Sequence, residues 1–162
     1  MSQAGLGPAG RSLSRPLSVR AVLFDLDGTL VDSAPDLTVA TNKMLSALGY
    51  PHVNCTQVKG WVGDGARSLV MRALTANFGN VPAESLIEQS YALFQRYYAE
   101  SVYQDSTLYP GVHETLQILI SRGLALACVT NKPSRFTKPL LEKSGLIGFF
   151  GAVVSGDDLS LK

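Results

Sequence analysis

Residues 21–33 read Ala21-Val22-Leu23-Phe24-Asp25-Leu26-Asp27-Gly28-Thr29-Leu30-Val31-Asp32-Ser33. Ala21–Phe24 is a short unbroken apolar run, the pattern of a strand buried on both faces of a parallel sheet. It ends on a carboxylate, and a second carboxylate stands two residues on. Gly28 permits the turn that brings both acids to one place. In an open α/β sheet that place, the carboxyl end of a strand, is where ligands bind. Two carboxylates at one point repel unless they share a proton or a cation. A hard cation with oxygen ligands, Mg²⁺, answers that need. It would also hold a phosphoryl oxygen and leave one carboxylate free to attack phosphorus. Asp25 and Asp27 are thus the candidate catalytic pair and the candidate metal ligands. One acid forms an aspartyl-phosphate; the other protonates the leaving alcohol and later deprotonates the attacking water.

Downstream, the pattern turns helical. Pro35 suits a first helical position, Leu37, Ala40, Met44, Leu45 and Leu48 share one face, and Gly49 closes the helix. A glycine-containing turn over 60–65 precedes a second apolar stripe of Leu69, Val70, Ala73, Leu74 and Phe78. A third helix follows Pro82 and carries Leu86, Ile87, Leu93, Phe94, Tyr97 and Tyr98. Residues 35–103 therefore read as an all-helical domain. Tyr109-Pro110-Gly111 marks the return to the core. A helix over 112–122 stops at Gly123, and 124–129 is a second buried strand ending at Thr130-Asn131. A helix over 136–143 leads to a third strand, Ala152–Val154, which ends in Ser155-Gly156-Asp157-Asp158. Pro139 obstructs that helix unless it falls in the first turn.

With the helical insert set aside, the order strand–helix–strand–helix–strand is half of a doubly wound, Rossmann-like parallel sheet. The expected class is α/β, with core segments 19–34 and 104–162 and a helical insert over 35–103. Thr130 would offer a hydroxyl and Asn131 a backbone N–H to phosphate oxygens, and the next helix N-terminus adds donors. Gly28, Thr29 and Lys132 join these by position. Residues 1–18 hold Gly, Ser, Pro and Arg without an acid and read as a tail outside the fold. That composition is shared by transit peptides, but no helical apolar face accompanies it.

Hydrophobic residues make up 46% of the 162, so a substantial core is available and disorder is excluded. Fourteen basic against thirteen acidic residues leave a charge of +1. That balance gives nucleic acid or an anionic membrane no foothold as main partner. Cys55 and Cys128 stand far apart, which excludes a disulfide framework and makes the reducing cytoplasm the default location.

The stretch Asp25–Ser33 resembles the first motif of the haloacid dehalogenase-like hydrolases, and Thr130-Asn131-Lys132 resembles their second. The fixed residues of Asp-x-Asp-Gly-Thr would arise by chance in a chain this long roughly once in a thousand. The helical insert resembles the family's type-1 cap. Trp61-Val62-Gly63-Asp64-Gly65-Ala66, Tyr109-Pro110-Gly111-Val112, Thr130-Asn131-Lys132-Pro133 and Gly156-Asp157-Asp158 point to the phosphoglycolate phosphatase branch, over residues 20–162.

The resemblance implies Asp25 as nucleophile and Asp27 as general acid/base. It implies Mg²⁺ on Asp25 and the Asp27 carbonyl, with phosphate on Thr130 and Asn131. The substrate implied is a small anionic phosphate ester, foremost 2-phosphoglycolate. The turn Gly63–Arg67 then becomes a candidate for specificity, with Arg67 as a partner for a substrate carboxylate. Lys43 and Lys59 read as solvated.

The resemblance also implies a lysine before a proline and an acidic motif after a fourth strand. Lys162 matches the first of two lysines in that branch, or is itself the catalytic one. Asp157 and Asp158 end the third strand and are expected to cap the following helix or line the outer edge of the site. The expectation is a shortened phosphatase, unstable and nearly inactive, whose first strand becomes an edge. Alternatives are a related phosphosugar mutase, pyrophosphatase or phosphonate hydrolase. A phospho-receiver is disfavoured because it carries no helical insert.

Overall fold

Strand and helix signals of this kind need partners, and the computed structural model supplies them for residues 19–158. The tail 1–18 and Lys162 lie outside the described residues. The elements in chain order are β1 (Ala21–Phe24), β2 (Val31–Asp32), α1 (Ala34–Ala47), α2 (Cys55–Lys59), α3 (Ala66–Phe78) and α4 (Glu84–Ser101). They continue with β3 (Thr107–Leu108), α5 (Val112–Ser121), β4 (Ala125–Val129), α6 (Ser134–Lys143), a 3₁₀ turn (Ile147–Phe149) and β5 (Ala152–Val154).

A parallel sheet of order β1-β4-β5 forms the core, with Ala21 opposite Ala125, Phe24 opposite Cys128, and Cys128 opposite Val153. Helix α5 packs against β4, and Leu116, Leu126 and Cys128 are buried there. The opposite face is open: Leu23 is 67% exposed and Val129 39%. The expectation that β1 is buried on both faces is therefore corrected. Among the described residues β1 has a neighbour on one side only, and its outward-pointing side chains meet solvent. An unpaired apolar edge of this kind favours association with other chains.

The helical layer follows its apolar stripes. Leu37, Ala40, Met44 and Leu45 of α1 pack with Leu69, Val70 and Leu74 of α3 and Ile87, Phe94 and Tyr98 of α4, all buried. Pro35 sits in the first turn of α1, where a missing N–H costs nothing. Phe78, assigned to the same stripe, is 42% exposed at the helix end. Pro139 lies inside α6 rather than in its first turn, a further correction. Thr137, two residues earlier, donates its hydroxyl to the Lys132 and Pro133 carbonyls.

Two short features carry the junction between the layers. β2 and β3 pair antiparallel, Val31 with Leu108 and Asp32 with Thr107, so the outgoing and returning connections run side by side. Asp36, fully buried in the first turn of α1, accepts hydrogen bonds from the backbone N–H groups of Gln104 (3.1 Å), Asp105 (2.8 Å) and Ser106 (3.2 Å), and from the Ser106 hydroxyl. One buried carboxylate thus fixes the strand that returns from the helical layer. Lys143 Nζ adds a bond to the Val102 carbonyl (2.8 Å).

Candidate active site

The carbonyl of Leu26, just past β1, accepts from the N–H groups of Leu30 (2.9 Å) and Val31 (3.1 Å). This closes a tight turn that Gly28 completes at φ +82, a conformation that disfavours a side chain. Asp25 is left exposed at the carboxyl end of β1, and Asp27 is half-buried beside it. Thr130 follows the adjacent β4 directly; it is buried, and its N–H bonds the Val154 carbonyl (2.9 Å). Its Oγ1 accepts from the Lys132 N–H (3.2 Å), which leaves the hydroxyl proton available to an outside acceptor. Asp25, Asp27, Thr130, Asn131 and Lys132 line one narrow cleft. Trp61, Val62, Gly63, Gly65, Ala66 and Leu69 close it from the helical layer. Gly28 and Thr29 lie on the far side of the two aspartates, in a second cleft.

Lys132 is almost wholly buried. Its Nζ donates to both Asp27 carboxylate oxygens (3.1 Å each) and to Tyr98 Oη (2.8 Å). Burial pushes the ammonium down, but the Asp27 carboxylate and the Tyr98 oxygen outweigh it and hold the group above the ordinary lysine range. Burial in turn raises the Tyr98 phenol, which stays neutral. Tyr98 belongs to α4 and packs edge-on against Phe136 of α6 (4.9 Å between centroids), so it ties the helical layer to the core. Neither this tie nor Tyr98 in the cleft wall was expected. The side chains stand 34 positions apart, and a tyrosine at helical spacing carries no signal beyond packing. The Cys128 thiol nearby is pushed up to about 12, by burial first and then by Asp25 and Asp27, and is no nucleophile.

Arg67 is not in this cleft. Its guanidinium bonds Glu88 (2.7 Å) and Glu84 on α4 and braces α3 against α4. Asn131 reaches the loop between α2 and α3, its Nδ2 donating to the Gly63 carbonyl (2.9 Å). Asp157 caps the preceding helix rather than a following one. It accepts from Ser134 N–H (2.7 Å) and Oγ (3.1 Å), the backbone bond chiefly holding its carboxyl below the usual range. Asp158 accepts from the Ser155 N–H (2.6 Å).

Gly156 packs directly under the loop that carries Asn131. A Cβ there would lie 2.4 Å from the Asn131 carbonyl oxygen and 2.8 Å from its carbon. Backbone cannot yield as a side-chain tip would. Gly156→Ala is therefore expected to shift Asn131 and to lower thermal stability by about 1–3 kcal/mol. The loss of the Asn131–Gly63 bond should appear as a moved Asn131 side-chain amide signal in NMR spectra. An unmoved signal would show that the loop has slack.

A strand-end acid pair thus faces a second strand's Thr-Asn beneath a helical layer. The family model for haloacid dehalogenase-like hydrolases matches residues 19–162, and the chain belongs to that family. It is similar to phosphoglycolate phosphatases of Nitrosospira multiformis (44% identical over 147 residues, 91% of this chain and 65% of the relative) and Nitrosococcus oceani (46% over 141 residues, 87% and 63%). The crystal structure of a predicted phosphoglycolate phosphatase from Haemophilus somnus superposes with a TM-score of 0.81 at 35% identity, over 88% of this chain and 64% of the other. The chain thus spans less than two thirds of the length of these relatives.

Proposed function

We propose that the chain carries the phosphoryl-transfer centre of a phosphomonoesterase acting on a small anionic ester, foremost 2-phosphoglycolate, in the cytoplasm. The observation that carries this reading is the exposed Asp25 beside Thr130 and Asn131 at the mouth of a small cleft roofed by helices. The relatives named for that activity support the substrate. Two free thiols support the location, and no described helix is long and apolar enough to cross a membrane.

In the first step an Asp25 carboxylate oxygen attacks phosphorus, the bond to the ester oxygen breaks, and that oxygen takes a proton from Asp27. In the second, Asp27 accepts a proton from water as the water oxygen attacks phosphorus and the bond to Asp25 breaks. The Thr130 hydroxyl and the Asn131 N–H donate to the phosphoryl oxygens. Lys132 holds both Asp27 oxygens as acceptors, an arrangement suited to the second step; for the first, Asp27 must carry a proton. Residues 35–103 serve as the cap.

The donor set tests the metal. Among the described residues no cluster of three or more acidic, His or Cys side chains stands ready for an ion. Mg²⁺ keeps several waters and takes one or two protein oxygens plus substrate phosphate. The exposed Asp25 carboxylate and the Asp27 carbonyl fit that sparse set. Bound there, Mg²⁺ would neutralise phosphoryl charge. A panel of phosphomonoesters assayed with and without Mg²⁺ tests the proposal. Preferred release of phosphate from 2-phosphoglycolate, at a low rate, is expected; preference for a sugar bisphosphate or pyrophosphate would overturn it.

A further inference from the structure

The two aspartates also border a second cleft, lined by Gly28, Thr29, Asp32, Ser33, Lys59 and Tyr109. Resting on the phosphatase reading above, we propose that Lys59 and Ser33 form the subsite for the substrate's second anionic group, a carboxylate.

Ser33 is 1% exposed, and its Oγ has no hydrogen-bond partner among the described residues. A buried hydroxyl left unpaired is unfavourable and points to a missing partner. Ser33 occupies the N-cap position of α1, where serine ordinarily bonds the helix backbone, yet its side chain makes no such bond. The hydroxyl is therefore spare in the wall of this cleft.

A carboxylate also needs a cation. The other cationic side chains around the site are committed: Lys132 to Asp27, Arg67 to Glu84 and Glu88, and Arg72 to Asp64 and the Trp61 carbonyl. Lys59 is the one cation among the described lining residues. Its ammonium makes a single bond, to Asp32 Oδ2 (2.7 Å), and lies 5.8 Å from the Tyr109 ring. The side chain is 55% exposed, so the pair with Asp32 is weak and two of its three donors remain to be used. The Asp32 hydrogen bond holds the amine above the ordinary lysine range, so it stays charged.

Lys59 is presented by a fixed element. The α2 N-terminus is closed by reciprocal bonds between Asn54 and Gln57 (2.9 Å each), and Val58 is buried. Asp32 and Lys59 together carry no net charge. That suits one added carboxylate better than a second phosphate dianion, which Asp32 would repel.

The test compares 2-phosphoglycolate with 2-hydroxyethyl phosphate, which replaces the carboxylate by a hydroxymethyl group. Calorimetric titration of the full 162-residue chain, carrying Asp25→Asn so that neither ester is consumed, reads both affinities. Binding of 2-phosphoglycolate is expected to be about tenfold tighter. Lys59→Met should erase that preference while leaving 2-hydroxyethyl phosphate within about twofold. Lys59→Arg should keep most of it, and Ser33→Ala should reduce it severalfold. Unchanged circular dichroism shows that each variant is folded. A preference that survives Lys59→Met, or none in the parent chain, overturns the subsite alone. Failure of both esters to bind overturns the phosphatase reading itself.

Discussion

Asp25→Asn is expected to lower the rate of phosphomonoester hydrolysis by on the order of 10³-fold or more. Removing a nucleophile costs nearly as much as removing the whole catalytic group, because the remaining residues have no bond to make. The amide is isosteric and Asp25 is exposed, so the fold should not change. No described side chain bonds Asp25 and would be stranded by the exchange. Initial rates at saturating ester, with circular dichroism of both proteins, check this. A residual rate within tenfold would assign the attack to another group.

The second large effect concerns stability. Asp36→Ala would strip three backbone donors and the Ser106 hydroxyl of their acceptor inside the junction between the layers. Buried hydrogen bonds to a charged group contribute about 1.5–3 kcal/mol each and are not additive. A total loss of about 3–5 kcal/mol is expected, the range for a broken buried charge network. For a domain of this size that lowers Tm by roughly 10 °C. Asp36→Asn keeps one acceptor oxygen but sets an NH₂ donor against a backbone N–H, so it should cost somewhat less than Asp36→Ala and still lower Tm clearly. The Asp36 carboxylate also sits in the first turn of α1, where the helix dipole favours negative charge. Calorimetric melting of the three proteins decides. A shift below about 2 °C for Asp36→Ala would mean that the return segment is held by other contacts.

These two aspartates mark what was legible in the sequence. Asp25 could be read because its cause is local: an apolar strand, then an acid, then a glycine that turns. The stripes of α1, α3 and α4 were legible for the same reason, with an apolar residue recurring at each turn. Asp36 was invisible because its partners lie 68–70 positions away and are backbone groups without sequence identity. The pair β2–β3 was missed because two residues hold no periodicity, and α2 because five hold hardly more. Pro139 inside α6 defied a sound rule.

Burial depended on what surrounds a strand. Leu23 looks like a core residue by composition, and only its place on an open sheet face exposes it. At the site, position along the chain located Lys132 but not its partners, and it placed Arg67 in a cleft that Arg67 does not line. Lys132 turned inward to Asp27 and Tyr98, and Arg67 turned to Glu84 and Glu88.

The identity of the nucleophile is tested most directly by trapping the intermediate. The chain is mixed with 2-phosphoglycolate and Mg²⁺, quenched in acid, digested and mapped by mass spectrometry. The predicted result is one phosphoryl group on the peptide containing Asp25, acid-stable and lost in hydroxylamine, and absent from Asp25→Asn. A phosphoryl group on another side chain, labelling that survives in Asp25→Asn, or a peptide that stays unmodified would contradict it.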